Sequence, residues 1–207
     1  WAPIFGNHDY EGRADKAKLA EIYEASAHCL FKSGPEGMNG MGNYIVNLTR
    51  NDKPVYSLFM IDDGQFRVVD GQITDGGVGE NQIEWYKWAV NGIKETSGNA
   101  VPNMAFMHVA VPEYVQFEDD FEMGMRGEDT YTAKMNDGFF SVFKENGGTH
   151  MFAGHDHNNN FITELDGVTL GYMTKSSYNC YFTFDALGGT VLTLDKDNHV
   201  NIEIAEF

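Results

Sequence analysis

Three short blocks of this chain collect the side chains best suited to hold a metal ion: Gly6-Asn7-His8-Asp9, the separate His108, and Gly154-His155-Asp156-His157. Neutral imidazole and an amide oxygen suit borderline divalent ions, and the glycines flanking two of the blocks let the backbone turn sharply beneath a bound ion. Asn7, His108, His155 and His157 are therefore candidate metal ligands, and the chemistry such a set performs is metal-dependent hydrolysis. His155 and His157 stand two apart and cannot share a helix face, so both reach neighbouring ions only from an extended or turning loop; a helical HExxH site is excluded. Each ligating imidazole needs its second nitrogen satisfied by a carboxylate or carbonyl, for which Asp156 and Asp9 are candidates.

The pattern of apolar residues predicts the elements that position these blocks. Pro3 to Phe5 reads as a strand end feeding the first block, and Ala14 to Leu30 reads as a helix. Tyr44 to Arg50 and Val55 to Ile61 read as a hairpin around the breakers Asn51 to Pro54, and Phe66 to Val69 reads as a further strand. Glu80 to Thr96 is expected to be a helix, as is Asp137 to Asn146, which ends at Gly147-Gly148. Met104 to Met107 and Thr149 to Ala153 are short apolar strands that deliver His108 and His155. Five strand-like runs follow: Phe161 to Leu165, Val168 to Met173, Tyr181 to Phe184, Val191 to Leu194 and Val200 to Ala205. In α/β sheets ligands gather beyond the carboxyl ends of strands, so Asn7, His108 and His155 are placed to meet at one rim.

The ordered blocks GNHD, a lone His after a strand, and GHDH resemble the last three signature blocks of the calcineurin-like metallophosphoesterases, in the branch related to purple acid phosphatases. Leu58 to Asp63, the helix start Gln82-Ile83-Glu84-Trp85 and the loop Met107 to Tyr114 add to the similarity. The resemblance implies an α/β fold, a sandwich of two mixed β-sheets flanked by helices, with N-terminal strands missing. That family opens with Asp-x-His and Gly-Asp blocks, the second of which bridges two metals. Trp1 lies only a few residues before GNHD, so the resemblance is to a C-terminal portion, residues 1–207 forming one partial domain whose missing N-terminal portion is the expected partner. Asp62, Asp63 and Asp70 follow GNHD and are not assigned the missing roles.

The resemblance further implies that Asn7, His108 and His155 ligate one metal and His157 the other, the pair being of the Fe, Mn or Zn class. His8 would orient the phosphate or protonate the leaving oxygen, and hydroxide held by the metals would be the nucleophile. The implied activity is phosphoric ester hydrolysis, on a phosphomonoester. The alternatives are a phosphodiesterase on a small or cyclic nucleotide, or a non-catalytic binding module on the same scaffold. With the bridging Asp absent, the isolated chain is expected to be inactive.

Composition bounds these readings. At 207 residues, 42% hydrophobic and 14% aromatic, the chain supports one globular domain. A net charge of −17 disfavours long nucleic acids, which require clustered Lys and Arg; a small phosphate ester is not excluded, because a bound metal reverses the field locally. No apolar run approaches the ~20 residues of a membrane span. Cys29 and Cys180 read as two small buried residues, and the family likeness leans the compartment towards secreted or luminal. His28, His150 and His199 read as structural or surface residues. The acidic run Glu118-Asp119-Asp120 with Glu122 reads as a solvated face, and Gly76 to Gly79 lacks the company of a phosphate-binding loop. Asn158-Asn159-Asn160 mark the GHDH loop as irregular and functional, while Tyr114, Phe117, Tyr131, Tyr178 and Tyr181 are candidate pocket walls.

Overall fold

The computed structural model describes residues 1–64, 66–69, 71–117, 120–135 and 137–206. Helix α1 (Lys16–Ala25) is followed by strands β1 (Tyr44–Arg50), β2 (Lys53–Met60), β3 (Phe66–Val69) and β4 (Gln72–Asp75). Helix α2 (Glu80–Ser97) leads to β5 (Asn103–Phe106), then α3 (Phe139–Glu145) to β6 (Gly148–Ala153). Strands β7 (Ile162–Leu165), β8 (Val168–Tyr172), β9 (Gly188–Leu194) and β10 (Val200–Glu206) complete the chain. The protein is α/β: a six-stranded mixed sheet in the order β1-β2-β5-β6-β8-β7, and two-stranded antiparallel sheets β9-β10 and β3-β4.

Strands β2, β5, β6 and β8 run parallel, and β1 and β7 close the two edges antiparallel. Strand alternation splits the core into faces. Phe59, Ala105, Met151 and Leu170 turn towards α2 and α3, where Trp85, Tyr86, Phe139 and Phe143 cover them. Tyr56, Met104, Phe152 and Ile162 turn the other way, against Leu192, Leu194, Val200 and Ile202 of the β9-β10 sheet. A third cluster, Phe5, Ala20, Phe31, Tyr44 and Met60, fastens α1 and the N-terminal segment to the β1-β2 edge.

The β1-β2 hairpin turns at Asn51 and Asp52, both with positive φ (52° and 60°), the geometry in which Asn and Asp are tolerated and which matches the strand twist. Helix α2 starts where Gly79 N–H donates to the Gln82 side chain at 2.9 Å and stops at Gly98, φ 82°.

Several expected elements differ. Helix α1 is shorter than the Ala14 to Leu30 pattern because Asp15 caps its start through Lys18 N–H, and Ser26 turns its hydroxyl back onto the Ile22 carbonyl, after which His28 takes φ 62°. Pro3 to Phe5 joins no sheet: Tyr44 donates to the Pro3 carbonyl and Leu30 N–H to the Trp1 carbonyl instead. Tyr181 to Phe184 is not a strand either. Cys180 at φ 63° breaks the extended path and Phe184 begins a single 3-10 turn, Phe184–Ala186. Among the described residues no helix is long and apolar enough to cross a membrane.

Candidate metal centre

The parallel strands β5 and β6 end at Phe106 and Ala153, and two residues beyond each lie His108 and His155, whose ring centroids are 5.4 Å apart. The GNHD turn meets them from the N-terminal segment. Asn7 is 7% exposed, and its Oδ1 lies 2.9 Å from His108 Nε2. Gly6 permits that approach, since a Cβ there would stand 3.0 Å from His108 Cε1. Gly64 does the same for the turn, where a Cβ would meet Asn7 N at 3.0 Å.

His108 is fixed from behind by a residue that sequence reading set aside. Asp63, fully buried at the end of the segment after β2, accepts from His108 N–H at 2.9 Å and from Val109 N–H at 3.1 Å. Burial pushes its carboxyl up to about 7, against the opposing pull of those N–H groups. Burial likewise lowers the His108 pKa to about 3, with the neighbouring His155 adding to the effect, so the imidazole is neutral. Asp62 faces elsewhere: it accepts from Lys16 Nζ at 3.0 Å and from Met41 N–H at 2.8 Å. Asp70, Glu118 and Asp119 lie outside the described residues.

His155 Nδ1 contacts Asp156 Oδ1 at 2.9 Å, and Tyr131 stacks on its ring at 4.5 Å. His157 Nδ1 lies 2.9 Å from the Tyr181 carbonyl, under the stacked Tyr181 ring at 4.2 Å. Burial and Glu128 push the Tyr181 phenol up to about 12. His8 is exposed and its Nδ1 pairs with Glu11 at 2.9 Å. All of these imidazoles line one cleft of about 810 Å³ with Lys175, Ser177, Asn179, Cys180 and Tyr181.

The donor set offers two imidazole nitrogens and an amide oxygen at Asn7, His108 and His155, with Nε2 of His157 nearby; the donor types fit one borderline divalent ion. Among the described residues they do not complete a two-ion site. Among the described residues no group of three His, Cys, Asp or Glu is close enough to hold an ion, and the surrounding carboxylates are engaged. Asp9 accepts from Gly6 N–H at 2.5 Å, Asp63 holds the His108 loop, and Asp156 accepts from Tyr131 N–H at 2.9 Å and Asn159 Nδ2 at 3.1 Å.

Other side chains take structural places. Asn159 Oδ1 accepts from Gly127 and Glu128 N–H, and Asn160 Oδ1 from Met125 N–H, so these two fasten the 123–128 segment rather than face the cleft. Tyr114 is core, donating to the Met151 carbonyl at 2.6 Å. Cys29 is half-buried, whereas Cys180 is exposed in the cleft wall, and the two are not bonded. Tyr178 is exposed, and the side chain of Phe117 is outside the described set. His150 packs beside Thr149 and Tyr56, and His199 pairs with Asp195.

No family model matches the chain. It is 28% identical over 202 residues to probable inactive purple acid phosphatase 14 of Arabidopsis thaliana, covering 87% of this chain and 50% of that one. It is 26% identical over 200 residues to probable inactive purple acid phosphatase 29 of the same plant, covering 87% and 51%. Phosphatase DCR2 of Saccharomyces cerevisiae is 28% identical over 186 residues, covering 81% and 31%. The chain thus spans about half the length of the first of these relatives. Among solved structures, a dimetal phosphatase from Danio rerio matches 63% of this chain and 49% of its own at 12% identity and TM-score 0.40. GAP50 of Plasmodium matches 98% and 64% at 11% identity and TM-score 0.42. By sequence the chain is thus similar to purple acid phosphatase-like proteins, in line with the resemblance its GNHD, His108 and GHDH blocks carry.

Proposed function

We propose that this chain supplies one metal position and the phosphate-facing wall of a phosphoric ester hydrolase site, and that the 207 residues alone bind a metal ion and a phosphate ester without turning it over. The observation that carries this reading is the 2.9 Å approach of Asn7 Oδ1 to Nε2 of a neutral His108, beside His155 at the rim of the parallel strands. With the His108 proton on Nε2 this is an ordinary hydrogen bond to the Asn7 oxygen; with the proton moved to Nδ1, both atoms offer lone pairs to one cation, which would replace that bond. A bound divalent ion supplies Lewis-acid polarisation of a phosphoryl oxygen and activation of water.

The chain's own residues do the rest. Asp63 fixes the backbone of His108, Asp156 sets the tautomer of His155 so that Nε2 faces outward, and the Tyr181 carbonyl does so for His157. His8, paired with Glu11 at the cleft edge, is the proposed proton donor to a leaving oxygen in the complete two-ion site. A phosphomonoester is the proposed substrate. Absence of turnover follows from the engaged carboxylates: none described near the ligands is left to bridge a second ion. Two relatives carry names that call them probable inactive phosphatases, which supports the absence of turnover.

The test is p-nitrophenyl phosphate hydrolysis by the purified chain with zinc, manganese or iron added, run beside metal uptake. Uptake without turnover is expected; sustained turnover that His108→Ala abolishes would overturn the claim of inactivity, and absence of uptake would overturn the metal reading.

A further inference from the structure

Lys175, Ser177, Asn179, Cys180 and Tyr181 line the cleft together with the histidine blocks, and Lys175 is the single Lys or Arg among the described residues that line it. Lys175 is half-buried, and its backbone is fixed at the base of β9: Gly188 N–H donates to its carbonyl at 2.8 Å and Lys175 bridges to Leu187. Its ammonium lies 3.4 Å from Ser177 Oγ, and among the described residues no carboxylate pairs with it. A half-buried ammonium on a fixed backbone, in a cleft also lined by the hydrogen-bonding side chains of Ser177 and Asn179, is suited to seat an anion, and it is the cationic counterweight to Asp9 and Glu11 in the same lining.

We propose that Lys175 is a specificity-determining residue that holds the non-bridging oxygens of a phosphomonoester dianion and so favours monoesters over diesters. The proposal rests on the reading of the cleft as a phosphate-ester site. A net charge of −17 repels anions, and repels a dianion more than a monoanion, so a local cation is what restores preference for the dianion. Ser177 and Asn179, on the same loop, have hydroxyl and amide groups to share the remaining oxygens.

The test is calorimetric titration of the whole chain, with and without one equivalent of zinc, at about pH 8, where methyl phosphate is a dianion, its second pKa being about 6, and dimethyl phosphate a monoanion. Lys175→Gln is expected to weaken methyl phosphate binding by about tenfold and dimethyl phosphate by clearly less, while Lys175→Arg retains most of the affinity. Zinc affinity is expected to be the same in all three proteins. Equal methyl phosphate affinity in wild type and Lys175→Gln, or no phosphate binding by a zinc-loaded wild type, overturns the inference and leaves the metal reading standing. A wild type that takes up no zinc overturns the metal reading, and the methyl phosphate contrast measured without metal then decides Lys175 by itself.

Discussion

Asp156 Oδ1 lies 2.9 Å from Nδ1 of His155, and its other oxygen takes the Tyr131 N–H at 2.9 Å, the Tyr131 ring being stacked on the same imidazole. One buried carboxylate thus orients a candidate ligand and fixes the residue that packs against it. The consecutive residues Gly154 to His157 thereby contain both a candidate ligand and its orienting group.

Asp156→Asn is expected to retain the fold, since an amide oxygen still accepts from Tyr131 N–H, but to relax the tautomer of His155. Zinc affinity, measured by competition with a chelating dye, should fall by about tenfold or more. An unchanged affinity would mean that His155 does not bind the ion.

Gly6→Ala places a methyl group about 3.0 Å from His108 Cε1 while leaving a backbone that any residue tolerates. The ring must shift, and zinc affinity should fall by about tenfold, with little change in the melting temperature of the metal-free chain. A variant that binds as the wild type does would show that His108 moves freely.

Asp63→Ala removes the acceptor of two N–H groups, those of His108 and Val109. Urea unfolding of the metal-free chain should show a loss of about 1–3 kcal/mol for each group left unsatisfied. Asp63→Asn, which keeps one carbonyl oxygen, should lose less.

His150 supplies a pH test away from the cleft. Burial lowers its pKa from 6.5 to about 4, so in that window the unfolded chain takes up a proton that the folded chain does not. Its contribution is therefore complete above about pH 6.5 and is lost as pH falls towards about 4. His150→Phe, which keeps a ring beside Phe152, should flatten the acid limb of melting temperature against pH. An unchanged limb would show that His150 does not titrate in this way.

The sheet and the convergence of the three blocks were legible because they rest on local signals. Alternating apolar runs mark β5 and β6, whose ends deliver His108 and His155, and Asn51-Asp52 marks the hairpin turn. What was missed depends on partners distant in sequence. Asp63 looks like any strand-end carboxylate until the His108 loop, 45 residues on, is folded over it. Asn159 and Asn160 share the composition of a functional loop, and only the contact with residues 125–128 shows that they fasten backbone. The strand expected at Tyr181 to Phe184 failed because its aromatics serve other contacts: Tyr181 covers His157 and Phe184 is exposed. Strand β4, with one apolar residue in Gln72–Asp75, carried no alternation to read.

The most direct measurement is metal content of the purified chain by plasma mass spectrometry after equilibration with zinc and desalting, with His108→Ala alongside. The account predicts about one ion per wild-type chain, the number its donor set can hold, and a loss of most of that metal in the variant. Two tightly held ions per chain, or an ion retained fully by His108→Ala, would contradict it.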